Sequence, residues 1–168
     1  MGGHCIPIDP FYMAWKSKKF GYDPKFIKSS GIINNKMPVW TVQQVIKELK
    51  KRKFKLKKLK ILIVGVAYKK NINDTRESPT LEIMNNFRKK KLKIGYHDPY
   101  VEKLYKTRKF NFNYKNEKLT KKLFSKYHAT IIVTDHDNIN YSFIQKNSKI
   151  IFDCRNRLNK NLPNVVKL

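Results

Sequence analysis

"KILIVGVAY", residues 60–68, decides how the rest of the chain reads. Ile61, Leu62, Ile63 and Val64 follow one another with no polar position between them, and Gly65 comes next. A strand covered on one face alternates apolar and polar; a continuous apolar run belongs to a strand buried on both faces of a parallel sheet. Such a sheet needs helices above and below it, so strands and helices should alternate downstream. They do. "SPTLEIMNNFRKKK" (78–91) reads as a helix with Ser78 as N-cap and Pro79 in the first helical position. "LKIGYHDP" (92–99) reads as a second strand, "KLTKKLFSKY" (118–127) as a helix and "ATIIVTD" (129–135) as a third strand. "YSFIQKN" (141–147) is helical again, and "SKIIFDC" (148–154) is a fourth strand. The expected fold over residues 59–168 is α/β, a Rossmann-like, doubly wound parallel sheet with right-handed crossovers. Ligands of such sheets sit beyond the carboxyl ends of the strands. That places Tyr68, Lys69, Asp98, Asp135 and Arg155 around one rim.

The loop that follows the first strand, "GVAYKKNINDTRES" (65–78), has one early glycine where the dinucleotide fingerprint needs three. No backbone cradle for a pyrophosphate is expected there. Lys69 and Arg76 offer side-chain cations for phosphates instead.

Upstream of the sheet, "FYMAWKSKKF" (11–20) suits a short helix ending near Gly21. Residues 23–52 read as one or two helices, with Ile32, Ile33, Met37, Val39, Trp40, Val42, Val45, Ile46 and Leu49 at three- and four-residue intervals. Pro38 either starts the second helix or kinks a continuous one. The ordinary use of such a stripe is packing against a neighbouring helix. "KKRKFKLKKLK" (50–60) reads as a charged hinge. The opening "MGGHCIPIDPFY" (1–12) sets Cys5 just after a Gly2–Gly3 turn, with Asp9 four residues on. A thiolate at Cys5 could attack an aldehyde carbon, and Asp9 could orient or deprotonate a water that hydrolyses a thioester.

Composition narrows the classes. The chain has 168 residues, 40% apolar and 12% aromatic, which favours a folded domain over disorder. The net charge of +26 would draw nucleic acid or an anionic membrane by long-range attraction. Yet 32 of the basic residues are Lys and 6 are Arg, while Asn (16) and Ile (17) abound and Ala (3) is scarce. That joint skew is the mark of a codon-level bias acting on tolerant surface positions. A base-reading surface would favour Arg, whose fork pairs bidentately with guanine. The charge therefore reads as a solvated lysine surface, with no nucleic-acid partner. No apolar run approaches a membrane span, no signal pattern opens the chain, and no Cys/His cluster has zinc spacing. Cys5 and Cys154 make no disulfide framework, so the expected setting is a reducing cytoplasm.

"GGHCIPIDPFY" (2–12), "GYDPKFIKSSGIINNKMP" (21–38), "GVAYKKNINDTRESP" (65–79) and "IIFDCRNRL" (150–158) together resemble segments of one family, in its order. That family is the UDP-glucose/GDP-mannose dehydrogenases, and the first segment is similar to its UDP-N-acetylglucosamine and UDP-N-acetylmannosamine 6-dehydrogenase branch. The resemblance implies three parts: a catalytic-cysteine segment (1–23), a central dimerisation helix and hinge (24–58) and a UDP-binding domain (59–168). It implies that Cys5 is the nucleophile, that Asp9 assists proton transfers and the water, and that Tyr68, Lys69 and Arg155 bind the sugar nucleotide. Arg76 would reach the phosphates of the cofactor, NAD. The implied reaction is a four-electron oxidation of a primary alcohol to a carboxylate with two NAD+, through a cysteine thioester.

The resemblance also implies a homodimer through the central helix. Ile8 stands where some members carry Lys, which removes one cation near the nicotinamide. The family's N-terminal NAD-binding domain, and its lysine-and-asparagine segment, have no counterpart in these 168 residues. Met1 is therefore expected to be a truncation point, a split-gene start or an internal start, with a separate N-terminal NAD-binding chain as one possible partner. Two other classes stay open: a UDP-sugar-binding module without catalysis, and a basic nucleic-acid-binding α/β protein.

Overall fold

A computed structural model describes residues 2–56, 59–159 and 161–168. Met1, and Lys57 and Lys58 of the stretch read as a hinge, lie outside the described residues. Two helices come first, α1 (Asp9–Lys19) and α2 (Lys25–Lys51). Then follow β1 (Lys60–Val64), α3 (Pro79–Lys89), β2 (Lys93–His97), α4 (Lys121–Lys126), β3 (Ala129–Ile132), α5 (Tyr141–Asn147), β4 (Ile151–Asp153) and β5 (Val165–Lys167). The strands form one sheet in the order β2-β1-β3-β4-β5, every pair parallel. β1 lies inside it, with Ile61 opposite Ile94 on one side and Ala129 on the other.

The uninterrupted apolar run of β1 serves both faces, because successive side chains of a strand point opposite ways. Ile61 and Ile63 join a core with Val45 and Leu49 of α2 and Met84 and Phe87 of α3. Leu62 and Val64 face the other layer, with Leu123 and Phe124 of α4 and Ile144 of α5. Ser78 caps α3 as expected, its side chain accepting a hydrogen bond from the Thr80 amide at 3.3 Å, with Pro79 beginning the helix. β5 was not anticipated. Its three residues, with only Val165 buried, are too short and too exposed to give a periodic signal, and their strand character comes from pairing with β4.

Helix α2 runs unbroken through Pro38, so the two-helix reading of that stretch does not hold. Its apolar stripe divides instead. Val42, Val45 and Leu49 are buried against α3 and the sheet, whereas Ile32 and Ile33 are 56% and 62% exposed and Met37, Val39 and Trp40 also face outward. The α/β core reaches only the second half of the helix. The first half meets α1, where Phe11 crosses so closely that a Cβ on Gly31 would lie 2.2 Å from its ring. Among the described residues no helix is long and apolar enough to cross a membrane.

Candidate functional site

The amino-terminal arm lies on the loop that follows β1. The Gly3 amide donates to the Arg76 carbonyl at 2.9 Å. A Cβ on Gly2 would meet Tyr68 Cβ at 2.7 Å, and one on Gly3, whose φ is +86°, would meet the Tyr68 ring at 2.8 Å. Contact with Tyr68 thus excludes a side chain at both positions, and at Gly3 the left-handed backbone adds to that requirement. Past them the Cys5 carbonyl accepts from the amides of Ile8 (2.9 Å) and Asp9 (2.8 Å), which starts α1 at Asp9. Cys5 and Asp9 are both exposed, one helical turn apart.

The base of that loop is fixed from beneath by a carboxylate. Asp98, just past β2 and fully buried, accepts from the amides of Val66 (2.7 Å) and Ala67 (3.1 Å) and from those of Tyr100 and Val101. It also pairs with His136 Nε2 at 3.0 Å. Burial alone would raise the Asp98 carboxyl, but these hydrogen bonds outweigh it and hold the group below its ordinary range. His136 Nδ1 accepts from the Asn71 amide at 2.9 Å, so the ring proton sits on Nε2 and the imidazole donates to Asp98. Thr134 Oγ1 donates to the Ala67 carbonyl at 2.7 Å. Gly65, at φ +83°, passes so close to Thr134 that a Cβ would lie 2.2 Å from its carbonyl oxygen.

The cations singled out in the sequence fall into two groups. Arg76 and Arg155 are each held by an aspartate. Arg76 donates to Asp74 from Nη2 at 2.7 Å and from Nε at 3.0 Å, and that pairing lowers the Asp74 carboxyl. Arg155 Nε donates to Asp135 Oδ1 at 2.8 Å. The backbone behind Arg155 is set by buried Asp153 at the end of β4, which accepts from the amides of Arg155 and Leu158 and from Lys167 Nζ at 2.6 Å. Lys69, by contrast, is exposed and makes no ion pair with a described residue. Cys154, partly buried, forms part of the wall beneath, and burial pushes its thiol up to about 12, which disfavours the thiolate.

A cleft of about 930 Å³ joins these parts. It is bounded by His4 and Ile8 of the arm, Met37 of α2, the start of α3, residues 106–110, and Arg76 and Arg155. Of the residues expected from sequence, Arg76 and Arg155 line it, Tyr68 lies under the arm, and Lys69 stands on the exposed stretch of the loop. Among the described residues no group of three or more His, Cys, Asp or Glu is placed to hold a metal. The sequence reading did not single out Asp74, His136, Asp137 or Asp153. Their only signal was position, because all but Asp74 follow or end a strand on the rim that carries the site.

A parallel sheet of this order, with its loops gathered at the carboxyl ends, defines a doubly wound α/β ligand-binding domain. Residues 62–160, more than half of the chain, match the UDP-glucose/GDP-mannose dehydrogenase family, UDP binding domain, and the chain belongs to that family. It is 30% identical over 171 residues to a UDP-N-acetyl-D-mannosamine dehydrogenase from Methanococcus vannielii, a match covering 96% of this chain and 36% of that protein. A UDP-N-acetyl-D-glucosamine 6-dehydrogenase from Pseudomonas aeruginosa is 30% identical over 101 residues, 60% of this chain and 24% of that one. Among solved structures, the UDP-D-ManNAc dehydrogenase of Pyrococcus horikoshii superposes with a TM-score of 0.79 at 28% identity, over 99% of this chain and 38% of the other. The matches thus span from about a quarter to little more than a third of the length of these relatives.

Proposed function

We propose that this chain is the UDP-binding and thiol-bearing part of a nucleotide-sugar 6-dehydrogenase acting on a UDP-N-acetylhexosamine. The observation that carries the reading is the docking of the Cys5 arm on the loop that bears Tyr68, Lys69 and Arg76, through the Gly3–Arg76 bond. Lys69 and Arg155 meet the nucleotide diphosphate and its base end, Tyr68 stands beside them, and Cys5 faces the sugar C6. The Cys5 thiolate adds to an aldehyde carbon to give a thiohemiacetal. In a complete enzyme the cofactor NAD+ would accept the hydride from the carbon of that adduct while its hydroxyl proton passes to water, which would leave a thioester on Cys5. Water then attacks the thioester carbon, Asp9 takes its proton, and the bond to sulfur breaks to release the carboxylate and the free thiol.

NAD, the oxidant implied by the resemblance, finds no cradle among the described residues. The loop after β1 has the single glycine Gly65, and Thr134 fills the space beside it. Arg76 is the one group assigned to the cofactor's phosphates, and the rest of the cofactor needs a binding site outside this sheet. That favours, for the chain by itself, sugar-nucleotide binding without turnover. The outward-facing half of α2, from Ile32 to Trp40, is assigned to a two-fold dimer.

Titration with UDP and with duplex DNA at physiological salt tests the reading. UDP binding that survives a rise in salt supports it; DNA binding that collapses with salt, without any for UDP, points to diffuse charge and overturns it. Production of NADH from UDP-N-acetylmannosamine or UDP-N-acetylglucosamine by this chain alone would overturn binding without turnover.

A further inference from the structure

The loop after β1 and the loop after β3 are fastened together immediately beyond Lys69. The Asn71 amide donates to His136 Nδ1 at 2.9 Å. The Asn71 side chain then makes a reciprocal pair with the next residue: its Nδ2 donates to Asp137 Oδ2 at 2.5 Å, and its Oδ1 accepts from the Asp137 amide at 2.9 Å. Lys70 Nζ reaches the same carboxylate at 3.2 Å. Asn71 sits at φ +61°, a left-handed turn that Asn tolerates and that other side chains resist. On the near side of Lys69, Ala67 is held by Asp98 and Thr134. Lys69 and Tyr68 therefore span a short bridge pinned at both ends, and one pin is a neutral imidazole fully enclosed between Asp98 and a backbone amide.

We propose that His136 and Asp137 are positioning residues: they clasp Asn71 and so fix the backbone from which Lys69 projects toward a bound diphosphate. The ligand in this inference rests on the UDP-binding reading above. A clasp acts by geometry, and its electrostatic sign is opposite to its effect. Asp137 is an exposed anion held against the Lys69–Asn71 turn, paired with Lys70 and Asn71. If Asp137 acted only through its charge, deleting it would raise affinity for an anionic ligand. If it acts as a clasp, deletion lowers that affinity.

Asp137→Ala is the safe variant, because half of its side chain is exposed and no core contact is lost. His136→Gln keeps a donor for Asp98 but gives up the ring nitrogen that accepts from Asn71. Calorimetric titration of the full chain with UDP is expected to show affinity reduced about three- to tenfold in Asp137→Ala, the equivalent of one hydrogen bond. Amide exchange at Asn71 should speed up in both variants while that of Ile61–Val64 in β1 stays slow. Tighter UDP binding by Asp137→Ala would overturn the proposal. So would unchanged exchange at Asn71 in both variants, and that result decides the clasp even if the parent chain binds no UDP. Failure of the parent chain to bind UDP, with faster exchange in the variants, would instead overturn the ligand assignment and leave the clasp supported.

Discussion

The Gly3 amide and the Arg76 carbonyl are 2.9 Å apart, and through this bond the segment that carries Cys5 is fastened to the loop that carries Lys69. The two segments are separated by a long stretch of chain that includes both amino-terminal helices. Their union brings the segment that carries the exposed Cys5 to the end of the sheet where that loop lies.

Gly3→Ala tests whether that union depends on the glycine. The substitution must tolerate a φ of +86° and place a methyl group 2.8 Å from the Tyr68 ring. The cost expected is about 1 kcal/mol or more, all of it local to the arm. Hydrogen exchange should show the residue 3 amide losing its protection while amides of β1 keep theirs. An arm that stays protected in the variant would mean that the Gly3–Arg76 contact is not what holds it.

Helix α2 carries two different surfaces, and two substitutions separate them. Leu49→Ala, at a fully buried position in the second half of the helix, should destabilise the domain by about 2–5 kcal/mol in urea titration. Ile33→Glu, in the exposed half, should change the stability of the monomer by about 0.5 kcal/mol or less. It should instead weaken self-association in sedimentation, because a charge would be buried at the proposed two-fold contact. A parent chain that sediments as a monomer at high concentration would refute the dimer assignment and leave the Leu49 prediction intact.

How much of this was legible in the sequence depends on whether the signal was local. The unbroken run Ile61–Val64 announced a strand covered on both faces, and Ser78–Pro79 announced where α3 begins; both follow from near neighbours. The stripe on α2 could not be divided by inspection. Ile33 and Leu49 obey the same periodicity, and only the reach of α3 and the sheet distinguishes them. Lys69 and Arg76 stood out as cations in a strand-end loop. Their support was harder to read: Asp98 could be placed on the rim but not given its role, and Asp98, His136 and Asp137 lie 31 to 66 residues from the groups of that loop they hold, so that topology alone brings them together. β5 escaped because three residues, one buried and two half-exposed, carry no pattern of their own.

Acid should loosen the rim in two stages. The Asp98 and Asp153 carboxyls are both held below the ordinary aspartate value of 3.8, by hydrogen bonds that outweigh their burial. A carboxyl whose folded-state value is depressed contributes stability that is complete above its unfolded value and lost as pH falls through the folded one. His97 is pushed below its ordinary 6.5, chiefly by burial, so its contribution begins to fall once pH drops under that value. Urea midpoints should therefore decline gently from about pH 6.5 and steeply below about pH 4. Asp98→Asn should flatten the steep part. A parent protein equally stable at pH 7 and pH 3 would contradict the network described around Asp98.

Lys69 offers the most direct test of the central claim, that this rim binds a UDP-sugar through particular cations and not through its general positive charge. Calorimetric titration with UDP at physiological salt should be compared for the parent chain, Lys69→Ala, Lys50→Ala and Lys90→Ala. All three lysines are exposed, and Lys50 and Lys90 lie together on a different surface, beside Lys47. Loss of one charge-assisted contact removes about 1.5–3 kcal/mol. Lys69→Ala should thus weaken binding by roughly ten- to a hundredfold, while the other two variants match the parent. Equal losses from all three substitutions would mean that UDP is held by diffuse attraction, and the assignment of the site to Lys69 would be wrong.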